Sequence, residues 1–118
     1  REAPTLVFRE GRPAFFLDAY GPDDPAAVLL NVLVQKIDLG ASCADAVRAP
    51  RLWAHGRTLS LEPGLYERET ARLQLKLLGH LIEKKDPIGF AQIVCFDEGS
   101  DRITGESDPR GEGQAAGF

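Results

Sequence analysis

The sequence has no methionine, only two cysteines and two histidines, no cluster of lysine and arginine, and no long apolar run. Each absence removes a class of function. Cys43 and Cys95 have neither CxxC spacing nor a histidine cluster beside them. A zinc site and a disulfide framework are therefore not expected, and both cysteines read as small buried hydrophobes. Fourteen basic against eighteen acidic residues give a net charge of −4, which argues against a nucleic-acid surface. The most apolar run, Val28 to Val34, is interrupted by Asn31 and followed by Gln35 and Lys36. It falls well short of the ~18 residues of a membrane span. The start at Arg1, with no charged-then-apolar leader, sets the expectation of a fragment or processed subunit. A Gly-x-Ser-x-Gly elbow, a phosphate loop and a His-Glu-x-x-His motif are also absent.

What remains is an ordinary globular composition, 43% hydrophobic and 27% charged over 118 residues, enough for one domain. Residues Pro4 to Leu17 read as a β-hairpin about a Glu10-Gly11-Arg12 turn. Asp24 is a good N-cap with Pro25 in the first helical position, so a helix is expected from Ala26 to Asp38, ended by Gly40. Its apolar residues surround the helix, which predicts burial between layers. Ser42-Cys-Ala-Asp45 has capping-box-like spacing and opens a short helix that stops before Pro50. Arg57 to Glu62 alternates as a strand closed by Pro63-Gly64, and Glu67 to Leu78 is an amphipathic helix stopped by Gly79. Gly89 to Phe96 and Ile103 to Glu106 are the last strands, about an Asp97 to Asp101 turn. The order β-β-α-α-β-α-β-β is that of an α+β domain in which helices cover an antiparallel sheet. Read locally, the glycine-rich tail from Gly105 to Phe118 is a mobile end.

Local chemistry yields no catalytic set. His55 and His80 stand alone and suit surface or capping roles. The adjacent acids Asp23 and Asp24 are accounted for by capping. A first-turn Cys43 would have a lowered thiol pKa, but no sequence neighbour supports a nucleophile. The glycine turn entering the first helix is the one place where backbone N–H groups and a helix dipole could converge on an anion.

Several stretches, in order, resemble the C-terminal half of the small subunit of the gamma-glutamyltranspeptidase family, which are N-terminal-nucleophile hydrolases. Pro4-Thr-Leu-Val-Phe-Arg-Glu-Gly-Arg-Pro13 is similar to the family's serine-proline-threonine strand and turn, with Ala3 in place of the serine. Ile37-Asp-Leu-Gly40 followed by Asp45-Ala-Val-Arg-Ala-Pro-Arg51 resembles the family's aspartate-x-glycine and glutamate-alanine-x-x-alanine-proline-arginine segments at the same spacing. Ile88-Gly-Phe-Ala-Gln92 corresponds to Met-Gly-Ser-Ala-Gln, and Asp108-Pro-Arg110 and Ala116-Gly-Phe118 match the family's closing motifs.

The resemblance implies a four-layer αββα sandwich made from the large and small chains of a self-cleaving precursor, with residues 1–118 as one segment of it. It implies a glycine-rich tail packed back on the body. The partners it implies are the large subunit, the upstream small-subunit segments and a small gamma-glutamyl substrate, with no cofactor or metal. The location it implies is periplasmic, extracellular or membrane-associated. The nucleophile would be a threonine upstream of Arg1, whose hydroxyl attacks the gamma-glutamyl carbonyl while its own amine acts as base. Thr5, Thr58, Thr70 and Thr104 lie inside the chain and lack that free amine. The family's substrate-binding serines and acids also precede Arg1.

One active-site element would fall within the chain, the Gly-Ser-Pro-Gly-Gly turn whose N–H groups stabilise the tetrahedral oxyanion. Ungapped counting back from Ile37-Asp-Leu-Gly40 places it on Asp18-Ala-Tyr-Gly-Pro22. Gly21 is then the oxyanion donor, and Ala19 and Tyr20 are substrate-binding candidates. Pro22 has no N–H, and loss of one such donor typically costs ~10²–10³ in rate. Asp23 and Asp24 put negative charge where a serine and an arginine usually follow. Three readings stay open: an active relative with a differently built oxyanion hole, a member with a changed substrate, and a homologue that keeps the fold for binding or assembly.

Overall fold

The structure, a computed structural model, describes residues 3–97 and 99–111. The Ala116-Gly-Phe118 match lies outside the described residues. The described residues form two compact units, one of residues 3–49 and 89–111, the other of Pro50–Ile88.

The first unit opens with a hairpin of β1 (Thr5–Arg9) and β2 (Arg12–Tyr20). Its two-residue loop has Glu10 at φ 53° and Gly11 at φ 80°, the left-handed pair whose twist matches that of the flanking strands. Strands β6 (Phe90–Phe96) and β7 (Ile103–Ser107) complete a four-stranded sheet of order β1-β2-β6-β7, every pair antiparallel. Helix α1 (Pro25–Leu33) continues as a π-helical turn, Val34–Asp38, and α2 spans Cys43–Arg48. Phe15, Leu17 and Ala19 of β2 and Ala91, Ile93 and Cys95 of β6 form one core with Val28 and Val32 of α1 and Ala46 and Val47 of α2. Helices thus cover one face of an antiparallel sheet, an α+β arrangement as expected.

Three expectations for this unit are corrected. Helix α1 is not buried all round: Val28 and Val32 are inside, whereas Leu30 is 62% exposed and Ile37 60%. One side of the helix meets the sheet, and no described residue covers the other. The tail does not end its structure at Gly105, because β7 runs to Ser107 and Asp108 beyond it is buried. Cys43 and Cys95 are not independent thiols. They form a disulfide between α2 and β6, which spacing could not reveal across a sequence separation of 52.

The second unit holds β3 (Leu52–His55), β4 (Thr58–Leu61) and β5 (Leu81–Lys84), in the order β3-β4-β5. β3 and β4 are antiparallel, but β4 and β5 are parallel, so a crossover is needed between them. Helices α3 (Pro63–Tyr66) and α4 (Glu69–Leu77) form it. Pro63 therefore opens a helix as well as ending a strand, having no N–H to leave unpaired in the first turn.

Candidate functional site

The turn between β2 and α1 is built from residues that tolerate little change. Gly21 sits at φ 115°, and a Cβ there would come 2.8 Å from Cδ2 of Phe90. Both the backbone angle and the aromatic ring demand glycine. The next residue, Pro22, offers no donor. Asp24 accepts at Oδ1 from the Ala26 N–H at 3.0 Å and caps α1, as its position predicts. Asp23 accepts at Oδ2 from the Gly89 N–H at 2.7 Å, a bond that no local pattern signals. Gly89 is equally constrained, at φ 62° with an added Cβ only 2.3 Å from Cγ2 of Val28.

Alternation along β2 separates the two other sequence candidates, Ala19 and Tyr20. Ala19 faces the helices and is fully buried, and its carbonyl accepts from the Ala3 N–H at 3.0 Å. Its methyl group is core. Tyr20 is half-buried and stacks on Phe90 with ring centroids 5.7 Å apart. Gly111 backs that pair, since a Cβ there would lie 3.1 Å from the Phe90 ring and 3.8 Å from the Tyr20 hydroxyl. Asp18 shares the sheet face opposite the core, and its Oδ1 is buried with no hydrogen-bond partner among the described residues.

The closing Asp108-Pro-Arg110 motif is structural. Asp108 accepts at Oδ2 from the Ala91 N–H at 2.9 Å and at Oδ1 from the Arg110 Nη1 at 2.9 Å. The guanidinium also donates to the carbonyls of Val47 at 2.7 Å and Ala49 at 2.8 Å, at the C-terminal end of α2. A cation there is favoured by the helix dipole as well. In the second unit, Glu62 receives the Arg51 N–H at 2.7 Å and the Ile88 N–H at 2.8 Å, while Arg51 Nη1 donates to the Ile88 carbonyl at 3.1 Å. The stretches that carry the sequence resemblance are thus wired to one another within each unit.

A side-chain trio in the second unit was not legible from sequence. Ser60 Oγ donates to Glu83 Oε1 and lies 2.9 Å from His55 Nε2, whose ring stacks on Trp53. Ser60 is fully buried, and both other members converge on its one oxygen. That is a hydrogen-bonded brace across β3, β4 and β5, without the relay a nucleophilic serine needs. The Ser60 hydrogen bond, ahead of the His55 charge, holds the Glu83 carboxyl below its ordinary range. His80 donates its backbone N–H to the Leu75 carbonyl at the end of α4.

With these elements in view, the family model of gamma-glutamyltranspeptidase matches residues 2–118. The chain belongs to the gamma-glutamyltranspeptidase family. This gamma-glutamyltranspeptidase-family chain is 30% identical over 125 residues to the glutathione hydrolase-like YwrD proenzyme of Bacillus subtilis (strain 168), a match covering 98% of the chain and 23% of that protein. It is 31% identical over 113 residues to the acylase ACY 1 proenzyme of Pseudomonas sp. (strain SE83), covering 94% of the chain and 20% of the relative. The chain therefore spans about a fifth of the length of these curated relatives.

Among solved structures, gamma-glutamyltranspeptidase from Pseudomonas nitroreducens superposes with a TM-score of 0.85 at 21% identity, over 99% of this chain and 62% of that one. Cephalosporin acylase from Bacillus halodurans gives 0.84 at 24% identity, over 98% and 22%. These likenesses establish the N-terminal-nucleophile hydrolase fold for a gamma-glutamyltranspeptidase-family segment.

Proposed function

We propose that the intact protein is a self-cleaving hydrolase or transferase that opens gamma-glutamyl or related amides through an acyl-enzyme on an N-terminal threonine upstream of residue 1. In this reading the segment supplies the floor of the acyl site. The observation that carries it is the turn at Gly21, held between Phe90 and the Asp23–Gly89 hydrogen bond. Gly21 N–H stabilises the tetrahedral oxyanion, and Tyr20 lies beside the acyl chain. Ala19 acts only by setting the backbone on which they sit. An oxyanion donor is worth ~3–4 kcal/mol, so a site with Pro22 relies on its remaining donors.

The partner in this reading is the rest of the same precursor. The sheet face opposite the helices carries Leu6, Phe8 and Phe16, which are 47%, 58% and 37% exposed. Burying one such side chain is worth ~1.5–3 kcal/mol, and the second sheet of an αββα sandwich supplies the cover. The location proposed for the intact protein is periplasmic, extracellular or membrane-associated.

The test is the full-length precursor. Self-cleavage with a new N-terminal threonine, followed by release of chromophore from a gamma-glutamyl anilide, is the expected result. Completed cleavage without release would instead favour a homologue that keeps the fold for binding or assembly, the reading that Pro22 supports.

A further inference from the structure

We infer that Asp18 receives an arginine or lysine side chain from the upstream part of the same precursor, and that this one buried ion pair sets the register in which the precursor's second sheet seats on the first unit. The inference rests on the precursor reading above and names a contact that assembles it.

On the sheet face opposite the helices, one polar row crosses apolar surroundings. Asp18 of β2 pairs with Gln92 of β6, and Gln92 with Ser107 of β7. Phe16 and Val94 pair on one side of that row, and Tyr20 and Phe90 on the other. Asp18 Oδ1 and Ser107 Oγ are buried, and neither has a hydrogen-bond partner among the described residues. Asp18 is also the one formally charged side chain among these seven residues. A buried carboxylate oxygen left without a donor is costly, so the surface that covers this face has to bring one.

The chemistry of the row selects a basic side chain. A hydrogen bond from a cation to a carboxylate is roughly twice as strong as a neutral one. Neighbouring strands lie ~4.8 Å apart, so the backbones at Asp18 and Ser107 stand about 10 Å apart and a single water cannot serve both. An arginine carries its N–H donors in a rigid plane, enough for the Asp18 carboxylate, the Gln92 amide oxygen and the Ser107 hydroxyl together.

Position gives its origin. The Ala3 N–H donates to the Ala19 carbonyl at 3.0 Å, so the chain enters the sheet one residue from Asp18. The preceding chain of the precursor joins at residue 1, beside the row. The segment spans only about a fifth of the length of its curated relatives, which leaves most of such a precursor to supply the cover. A second sheet seated one position away would press its cation on Phe16 or Tyr20 and leave Asp18 against apolar side chains. Both charges would then be buried unpaired, which is how one ion pair selects one register.

The experiment reads denaturant unfolding of the full-length protein. Each upstream lysine and arginine is changed singly to methionine, alone and together with Asp18→Asn. At one position the single change is expected to raise the unfolding equilibrium constant about a hundredfold or more, because it strands a buried carboxylate. With Asp18→Asn already present, the same change is expected to alter that constant by less than about threefold, which is the coupling of a contacting pair. Additive effects at every position overturn the inference. So does stabilisation by added amines or metal ions with no coupled residue, the mark of a cation drawn from solvent. If Asp18→Asn does not accumulate as folded protein, Asp18→Leu joined to the methionine change removes both charges and is expected to restore folding at one position. Restoration at none overturns the inference. Unfolding is read whether or not the protein is active, so a full-length protein that neither cleaves itself nor releases chromophore fails the hydrolase reading alone.

Discussion

Asp23 and Gly89 lie 66 positions apart in the chain and are joined by one hydrogen bond, the Gly89 N–H donating to Asp23 Oδ2 at 2.7 Å. The bond ties the β2–α1 turn to the entry of β6. It changes the meaning of the adjacent acids, which from sequence alone look like charge misplaced at an anion-binding turn. One carboxylate is bound to a backbone amide and the other caps a helix. Both have structural work that a neutral replacement would do less well.

Asp23→Ala should therefore cost about 1.5–3 kcal/mol, the range for a hydrogen bond to a charged group. Asp23→Asn should recover part of that. Denaturant midpoints of the assembled protein read the difference. Gly89→Ala should be worse than either, because it adds a methyl group 2.3 Å from Val28 Cγ2 at a left-handed φ of 62°.

Pro22→Gly restores an N–H to the turn without disturbing the Asp24 cap. In the self-cleaved protein it should raise kcat on a gamma-glutamyl anilide, by up to about a hundredfold if the new N–H reaches the oxyanion. An unchanged or lower rate would mean that the site was built around proline and draws its donors from elsewhere.

Arg110→Ala removes the donor that satisfies the Val47 and Ala49 carbonyls and leaves Asp108, only 1% exposed in its side chain, with its charge less compensated. A loss of about 3–5 kcal/mol is expected, as for breaking a buried pair. Arg110→Lys should rescue it poorly, since one ammonium cannot reproduce the planar fork.

Cys43→Ser with Cys95→Ser should lower stability by about 4 kcal/mol, the chain-entropy value for closing a loop of the 52-residue separation. The unaltered protein should resist alkylation until it is both unfolded and reduced. A thiol count under denaturing, non-reducing conditions checks this directly.

Glu83 offers a pH test. Its carboxyl is held below the ordinary glutamate range, chiefly by the Ser60 hydroxyl. The folded pKa is the lower one, so the interaction contributes fully above the unfolded value and is lost as pH falls through the folded value. Carboxyl chemical shifts should place the Glu83 midpoint below that of an exposed glutamate. Ser60→Ala should move it back up.

Local chemistry made much of this fold legible. Asp24 with Pro25, Ser42 with Asp45, and Gly11 in its hairpin loop each carry their structural reason within a few residues. The short strands did not, because four residues of Leu52-Trp-Ala-His55 and of Leu81-Ile-Glu-Lys84 are too few for an alternation to stand out, and both exist through pairing with β4. The Cys43–Cys95 disulfide, the Arg110 clamp and the Asp23–Gly89 bond are long-range and have no periodicity to betray them. The role proposed for Gly21 rests on the resemblance together with the glycine turn ahead of α1.

The insertion of Pro50–Ile88 between the halves of the first unit has a consequence for synthesis. Strand β2 leaves the ribosome long before its neighbour β6, and α2 long before the cysteine and arginine that fasten it. The second unit, with all its strands contiguous, can close first. The first must wait with an unfinished sheet edge until Asp108 and Arg110 are made, and a nascent chain halted before them would present that edge to any passing strand.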